Sequence, residues 1–317
     1  MKKREFNRTV YEESLVERLN EGAARQGLAP DPDFSEVLKP PTLHLLLADR
    51  RAGLVARVKR LEEGDLEKIT LNLELVTAAA AGGAPVLPPA MTEVLVAENK
   101  GLTYGITFWP LADNRLVSPA EMAEVLRGIH DLRPLRGMPD CMQIRFGRVK
   151  RWVKELPGLT GPPPKDVITK CRSLVDGAME ALEPQMAAAP KRFLHGDAHP
   201  ANIVILKGRP LACDLDEICS GPAEVDLSMA FIQSERYPGS DASAGENLAR
   251  AYGRPYNAKL LRAIIRARCV SRALSLVRFW GEPGVENDFY QRLDAIENGG
   301  KFSKLYGGES LAMFAGP

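Results

Sequence analysis

The segment FLHGDAHPANIVILKGRPLACDLDEICSGPAEVDLSMAF carries aspartate, histidine and asparagine at close spacing among short β-prone runs. Gly196 and Pro200 punctuate HGDAHPAN, so it reads as a loop leading into the strand IVIL. A turn over Lys207-Gly208-Arg209-Pro210 then returns the chain through LACDL, which puts Asn202 and Asp214 near the two ends of one hairpin. A carboxylate, an amide oxygen and a second carboxylate brought together there are the hard oxygen ligands that magnesium prefers. A phosphate site follows. With Asn202 and Asp214 as metal ligands, Asp197 is left to accept a proton from an incoming hydroxyl, the role of a catalytic-loop aspartate in phosphoryl transfer. His195 reads as a residue that holds the loop by hydrogen bonds, and His199 is open between roles. Asp216 and Glu217 divide evenly between helpers of metal or substrate and solvated neighbours.

These residues need elements to position them. Leu15, Leu19 and Ala23 are spaced for one helix face in a segment running from Tyr11 to Gly27. TLHLLLADRRAGLVARVKRL reads as a hairpin, with Val55, Arg57 and Lys59 on one face of its second strand. Asp65 to Ala81 returns to helical spacing, with Leu71, Leu75 and Ala79 as the stripe and Glu74 beside it. TEVLVAEN and YGITFWPL read as two strands around Lys100-Gly101, and Pro110 forbids further central pairing. Downstream, Ser118-Pro119-Ala120-Glu121 is a capping box that opens a helix burying Met122, Val125, Leu126 and Ile129. Helices are also expected over 166–183 and 259–278. The pattern is α+β, with a mixed region over 1–111 and a mainly helical one over 112–317.

Composition excludes little and excludes it firmly. Apolar residues are 45% and charged residues 26%, with net charge +1, so nothing pulls the whole chain toward nucleic acid or membrane. Five scattered cysteines without a C-x-x-C pair indicate neither a disulfide framework nor a zinc site. No run approaches 18 apolar residues and MKKREFNR is not followed by an apolar stretch, so a cytoplasmic protein is expected.

The loop resembles that of the aminoglycoside phosphotransferase family, relatives of choline kinases and of protein kinases. The family pattern H-G-D-x-H-x-x-N is met by His195, Gly196, Asp197, His199 and Asn202, and CDLDE and VDLS fill its downstream aspartate positions. The resemblance implies a two-lobed, protein-kinase-like fold with a small N-lobe sheet and a larger, mainly helical C-lobe. It implies Asp214 at the metal position and Asp226 as a brace of the catalytic loop. It also implies Arg57 as the base that reaches the nucleotide phosphates, with Lys59 as a competitor, Glu74 as its partner, and backbone groups from Phe108 through Trp109 to Leu111 as a purine hinge. Mg2+ and ATP or GTP are the implied cofactors, and a small hydroxylated molecule is the implied acceptor: antibiotic, aminoglycoside-like, amino alcohol or sugar. One departure stands out: 31–47 contains no glycine, so no glycine-rich phosphate loop precedes the hairpin.

Competing readings follow from the same residues. A nucleotide-binding pseudokinase without turnover would explain the missing glycines. A metallohydrolase using His195, Asp197 and His199 is opposed by Gly196 and Pro200, which spoil a regular helical pairing of the histidines. RFGRVKRWVK, from Arg145, reads as a solvated basic helix face rather than a nucleic-acid surface. Lys259 to Arg278 has six basic residues and no acid, which argues for a neutral, weakly cationic or partly anionic acceptor over a polycation. His130 and His44 carry no signal beyond packing.

Overall fold

Period-two and period-3.6 patterns alternate along the first hundred residues, and a computed structural model turns them into one antiparallel sheet with two helices. It describes residues 13–39, 44–158, 162–277 and 279–302. The chain divides into two units, one comprising Met1–Arg115 with Val204–Asp216, the other Leu116–Ile203 with Glu217–Pro317.

In the first unit, strands β1 (Glu36–Lys39), β2 (Leu45–Asp49), β3 (Leu54–Arg60), β4 (Leu95–Asn99) and β5 (Leu102–Pro110) form a sheet in the order β1-β2-β3-β5-β4. Lys100 and Gly101 turn the β4–β5 hairpin with φ of 50° and 72°, the two left-handed residues that such a tight turn requires. Helix α1 (Glu13–Arg25) buries Leu15, Leu19 and Ala23 against Phe34, Ala56, Val58 and Ile106. Tyr11, expected at its start, lies outside the described residues, as do 40–43 between β1 and β2. Alternation along β3 sends Ala56 and Val58 into this core and turns Arg57 and Lys59 to the opposite face.

Helix α2 (Asp65–Ala81) has the expected span but a different stripe. Leu73, Leu75, Val76 and Ala79 are buried, whereas Leu71 is 37% exposed. Helical rotation therefore places Leu71 on the outer face beside Glu67 and Glu74.

Strands β7 (Ile203–Leu206) and β8 (Arg209–Ala212) form a hairpin that turns on Lys207 and Gly208, with φ of 51° and 77°. The expected division at residue 111 leaves this hairpin with the helical region. In the structure Ala212 exchanges backbone hydrogen bonds with Pro85 and Leu87, and Ile205 exchanges two with Asp113, so 204–216 belongs with the sheet unit.

The second unit is mainly helical: α3 (Pro119–His130), α4 (Gly147–Glu155), α5 (Lys165–Ala188), α6 (Glu224–Arg236), α7 (Ala244–Tyr252), α8 (Ala258–Val277) and α9 (Val285–Asn298). The Ser118 hydroxyl accepts from the Glu121 N–H, the Glu121 carboxylate accepts from the Ser118 N–H, and Met122, Val125, Leu126 and Ile129 are buried as expected. Strands β6 (Arg192–Leu194) and β9 (Cys219–Gly221) pair antiparallel and frame the HGDAHPAN loop. Among the described residues no helix is long and apolar enough to cross a membrane.

Candidate active site

In the helical unit the loop after β6 is held from beneath by one carboxylate. Asp226, in the first turn of α6 and fully buried, accepts the His195 N–H at 2.9 Å and the Gly196 N–H at 2.8 Å. His130, the last residue of α3, places Nε2 3.0 Å from the same carboxylate and Nδ1 2.8 Å from the Tyr252 hydroxyl. Burial alone would raise the Asp226 carboxyl, but His130 and His195 outweigh it and hold it below the ordinary range. His130 had no signal in the sequence, because its partners are 96 and 122 residues away.

Gly196 has φ of 82°, and a Cβ there would stand 2.0 Å from the Glu217 carbonyl oxygen. Only glycine fits. His195 is wholly buried and its Nδ1 accepts the Asp197 N–H at 3.3 Å, a contact within the loop. Asn202 donates its amide to the Asp197 carbonyl at 3.0 Å, which leaves the amide oxygen as its acceptor atom. His199 Nε2 lies 4.0 Å from Asp197 Oδ2.

Two arginines flank Asp197. Arg145 Nη2 is 3.1 Å from Oδ1 and 3.5 Å from Glu217 Oε2, and Arg268 Nη1 is 3.9 Å from Oδ1. Arg268 also donates to the Gly196 carbonyl at 2.8 Å and is 2% exposed. Burial would raise the Asp197 carboxyl, but Arg145 and then Arg268 drive it far below the usual carboxylate range. The burial of Arg268 and the charge of Arg145 press its own guanidinium down to about 9. Arg145 is thus not on a solvated face as its basic neighbours suggested. The sequence signal for Arg145 and Arg268 was only their basicity, shared with 40 other lysines and arginines.

The sheet unit carries the other predicted residues. Arg57 makes a bidentate pair with Asp216, at 2.7 and 2.6 Å, and its Nη2 lies 3.2 Å from Asp214. Burial opposes the Arg57 charge, but Asp216 and then Asp214 raise its pKa above the ordinary arginine value. Asp214 itself has φ of 54°, a left-handed conformation that a non-glycine residue adopts only under constraint. Glu74 is not the partner of Arg57, because it sits on the exposed outer face of α2 with Leu66, Glu67, Thr70 and Leu71. Asn72 occupies the inner position instead and donates to the Asp216 carbonyl at 3.3 Å. Lys59 pairs with Asp65 at 3.1 Å.

Arg57, Lys59, Asn72, Thr107, Trp109 and Asp216 line a cavity of about 40 Å3, room for a few waters. His44 lines it too. Its burial and the Arg57 charge lower its pKa to about 4, against a smaller opposing effect of Asp216. Two backbone groups of the expected hinge are already engaged: the Phe108 carbonyl accepts from Ala90 N–H at 2.8 Å, and Leu111 N–H donates to Gly53 at 2.7 Å. Phe108 is wholly buried against Phe34, and Trp109 Nε1 donates to Thr107 at 2.9 Å. Purine contacts through those atoms therefore require rearrangement.

Among the described residues no three His, Cys, Asp or Glu side chains form a metal-holding group. The Asn202 amide oxygen in the helical unit and the Asp214 carboxylate in the sheet unit are each the kind of hard oxygen donor that Mg2+ prefers.

The model of the phosphotransferase enzyme family matches residues 40–263. The choline kinase LicA from Streptococcus pneumoniae is 14% identical with a TM-score of 0.61, covering 90% of this chain and 99% of its own. The amicoumacin kinase hAmiN, solved with AMP-PNP, Ca2+ and Ami, is 12% identical with a TM-score of 0.65, covering 92% and 94%. Spectinomycin phosphotransferase, solved with ADP and spectinomycin, is 13% identical with a TM-score of 0.53, covering 89% and 92%. At these identities the likeness is one of fold, the two-lobed kinase-like one. No curated protein sequence matches.

Proposed function

We propose, because this chain belongs to the phosphotransferase enzyme family, that it moves the γ-phosphoryl group of ATP or GTP to the hydroxyl of a small molecule. As a phosphotransferase with an alcohol group as acceptor, it needs a residue that aligns the hydroxyl and receives its proton. The observation that carries the reading is Asp197, an ionised carboxylate on a loop fixed by Asp226 and flanked by Arg145 and Arg268. So acidic a carboxyl is a weak base. Its first task is to orient the hydroxyl by accepting its hydrogen bond, and the proton passes to Asp197 as the new oxygen–phosphorus bond forms. A loose transition state, in which the attacking oxygen becomes acidic late, suits such a group.

Arg57, held by Asp216, is the cation for the nucleotide phosphates, with Lys59 beside it on β3. Asn202 and Asp214 would hold Mg2+, which when bound neutralises charge on the phosphates. Asp214 must then exchange its 3.2 Å contact with Arg57 for the ion. The molecules bound in two structural neighbours, AMP-PNP with Ami in hAmiN and ADP with spectinomycin in spectinomycin phosphotransferase, support the choice of a nucleoside triphosphate and a small acceptor.

The test is a nucleotide-consumption screen over hydroxylated metabolites and antibiotics, with mass detection of the phosphorylated product and Asp197→Ala beside the wild type. The variant should lose about 10²- to 10⁴-fold in turnover while still binding nucleotide. Turnover within a few-fold of wild type removes Asp197 from the role. Nucleotide binding without any product from the wild type favours the pseudokinase.

A further inference from the structure

Arg145 sits where the chain departs from regular helix. Met142–Phe146 is a π-helical turn, closed by the Gly147 N–H on the Met142 carbonyl, immediately before α4. Such turns concentrate at functional sites, because the extra residue re-aims a side chain that a regular helix would send elsewhere. Here the re-aimed residue is Arg145, whose side chain is 19% exposed and whose buried Nε has no hydrogen-bond partner. A buried donor without an acceptor costs stability, and a group that accepts from it recovers that cost.

The charges around Asp197 do not balance. Arg145, Arg148 and Arg268 face two carboxylates, Asp197 and Glu217, and Arg148 takes Glu217 Oε1 at 2.7 Å. Behind the loop the ionised Asp226 attracts Arg268 while the Arg272 guanidinium repels it, so these two charges offset each other there. His195 and His199 add no negative charge. One guanidinium is left uncompensated beside the carboxylate that meets the acceptor. A cationic acceptor adds to this surplus and an anionic one cancels it.

We propose that the acceptor carries an anionic group, carboxylate or phosphate, close to the hydroxyl it offers, and that Arg145, with Arg148 beside it, is the specificity determinant that reads this group. The proposal rests on the phosphotransferase reading above. The acceptor anion draws Arg145 Nη2 away from Asp197 Oδ1, and Arg268 remains as the counter-charge of that carboxylate. Asp197 is then released toward the hydroxyl only when the anion is in place. In the transfer itself, the bond from the γ-phosphorus to its bridging oxygen breaks and one from the acceptor oxygen forms. The hydroxyl proton goes to Asp197, and nucleoside diphosphate leaves with the electron pair.

Matched pairs of compounds test this. Hydroxy acids such as glycerate are compared with their amides, and glycerol 3-phosphate with glycerol, so that the two arms separate carboxylate from phosphate. Ethanolamine and kanamycin supply the cations. Product is followed by mass, and binding without nucleotide by thermal shift, for wild type, Arg145→Ala, Arg145→Lys and Arg148→Ala. The expected result is turnover of one anionic series, with KM raised about 10- to 100-fold by Arg145→Ala and partly restored by Arg145→Lys, and with a smaller KM effect on the neutral analogue, for which any loss through the disturbed Asp197 falls on kcat. Should Arg145→Ala not fold, the half-exposed Arg148→Ala carries the same comparison, with a smaller loss. Efficient turnover of the cations, insensitive to either arginine, overturns the proposal and leaves the phosphotransferase reading intact. If no compound is turned over, an Arg145-dependent thermal shift by an anion supports the anion site while the activity is in doubt. Absence of any such shift overturns the site.

Discussion

Replacing Asp226 by asparagine keeps the shape of a buried side chain and removes one acceptor from a group that serves three donors. The carboxylate meets His195 N–H at 2.9 Å and His130 Nε2 at 3.0 Å through Oδ2, and Gly196 N–H at 2.8 Å through Oδ1. If the asparagine oxygen takes the Oδ2 position, its NH2 faces the Gly196 N–H; if flipped, it faces the His195 N–H. Either way one buried backbone donor is orphaned and the remaining bonds lose their charge assistance. Hydrogen bonds to charged groups contribute about 1.5–3 kcal/mol, and breaking a buried ionic cluster costs about 3–5 kcal/mol, so a loss of that size is expected. Against a total stability of about 5–15 kcal/mol this is large. The loop should also loosen, and a displacement of Asp197 by about 1 Å costs about 10²-fold in turnover. Urea titration should show a lowered midpoint at unchanged slope, and steady-state kinetics a fall in kcat greater than any rise in KM. The folded Asp226 pKa is depressed, so its contribution is complete above the unfolded value near pH 4 and is lost as pH falls through the folded one. The gap between wild type and variant should therefore narrow in acid. A change in stability under about 0.5 kcal/mol with unaltered kcat refutes the brace, since that is the scale of a neutral surface substitution.

His44 gives a pH dependence of its own. Its pKa is about 4 in the folded chain against an ordinary 6.5, so the unfolded chain takes up a proton first as pH falls. Stability from this group is full above pH 6.5 and declines between 6.5 and 4, by up to about 3 kcal/mol, and His44→Gln should flatten that decline in urea titrations at pH 7 and 4.5. Identical pH profiles for both proteins would remove His44 from this role. Asp216→Ala should cost about 1–3 kcal/mol by stranding the half-buried Arg57 guanidinium, whereas Glu74→Ala should stay within about 0.5 kcal/mol. Equal effects of the two in thermal or urea unfolding would return Glu74 to its expected place.

By itself the sequence determined what is local in the chain. The left-handed turns at Lys100-Gly101 and Lys207-Gly208, the capping box at Ser118 and the strand alternation that separates Arg57 from Ala56 and Val58 each rest on contacts a few residues apart. The HGDAHPAN loop is local in the same sense: Asn202 donates to the Asp197 carbonyl five residues before it. Only the tertiary structure decided which distant charges meet. Helical periodicity tolerated either an inward or an outward Glu74, and the residue that pairs with Arg57, Asp216, lies 159 positions away in sequence. Arg145 and Arg268 looked like any basic residue on a polar face, and became the flanks of Asp197 through a π-helical turn and a helix some 70 residues downstream. His130 joined Asp226 in the same way. Hydrophobic pattern fixes which face of an element is buried, but the partner of a buried charge is chosen by packing geometry to within an ångström, and no one-dimensional period encodes that distance.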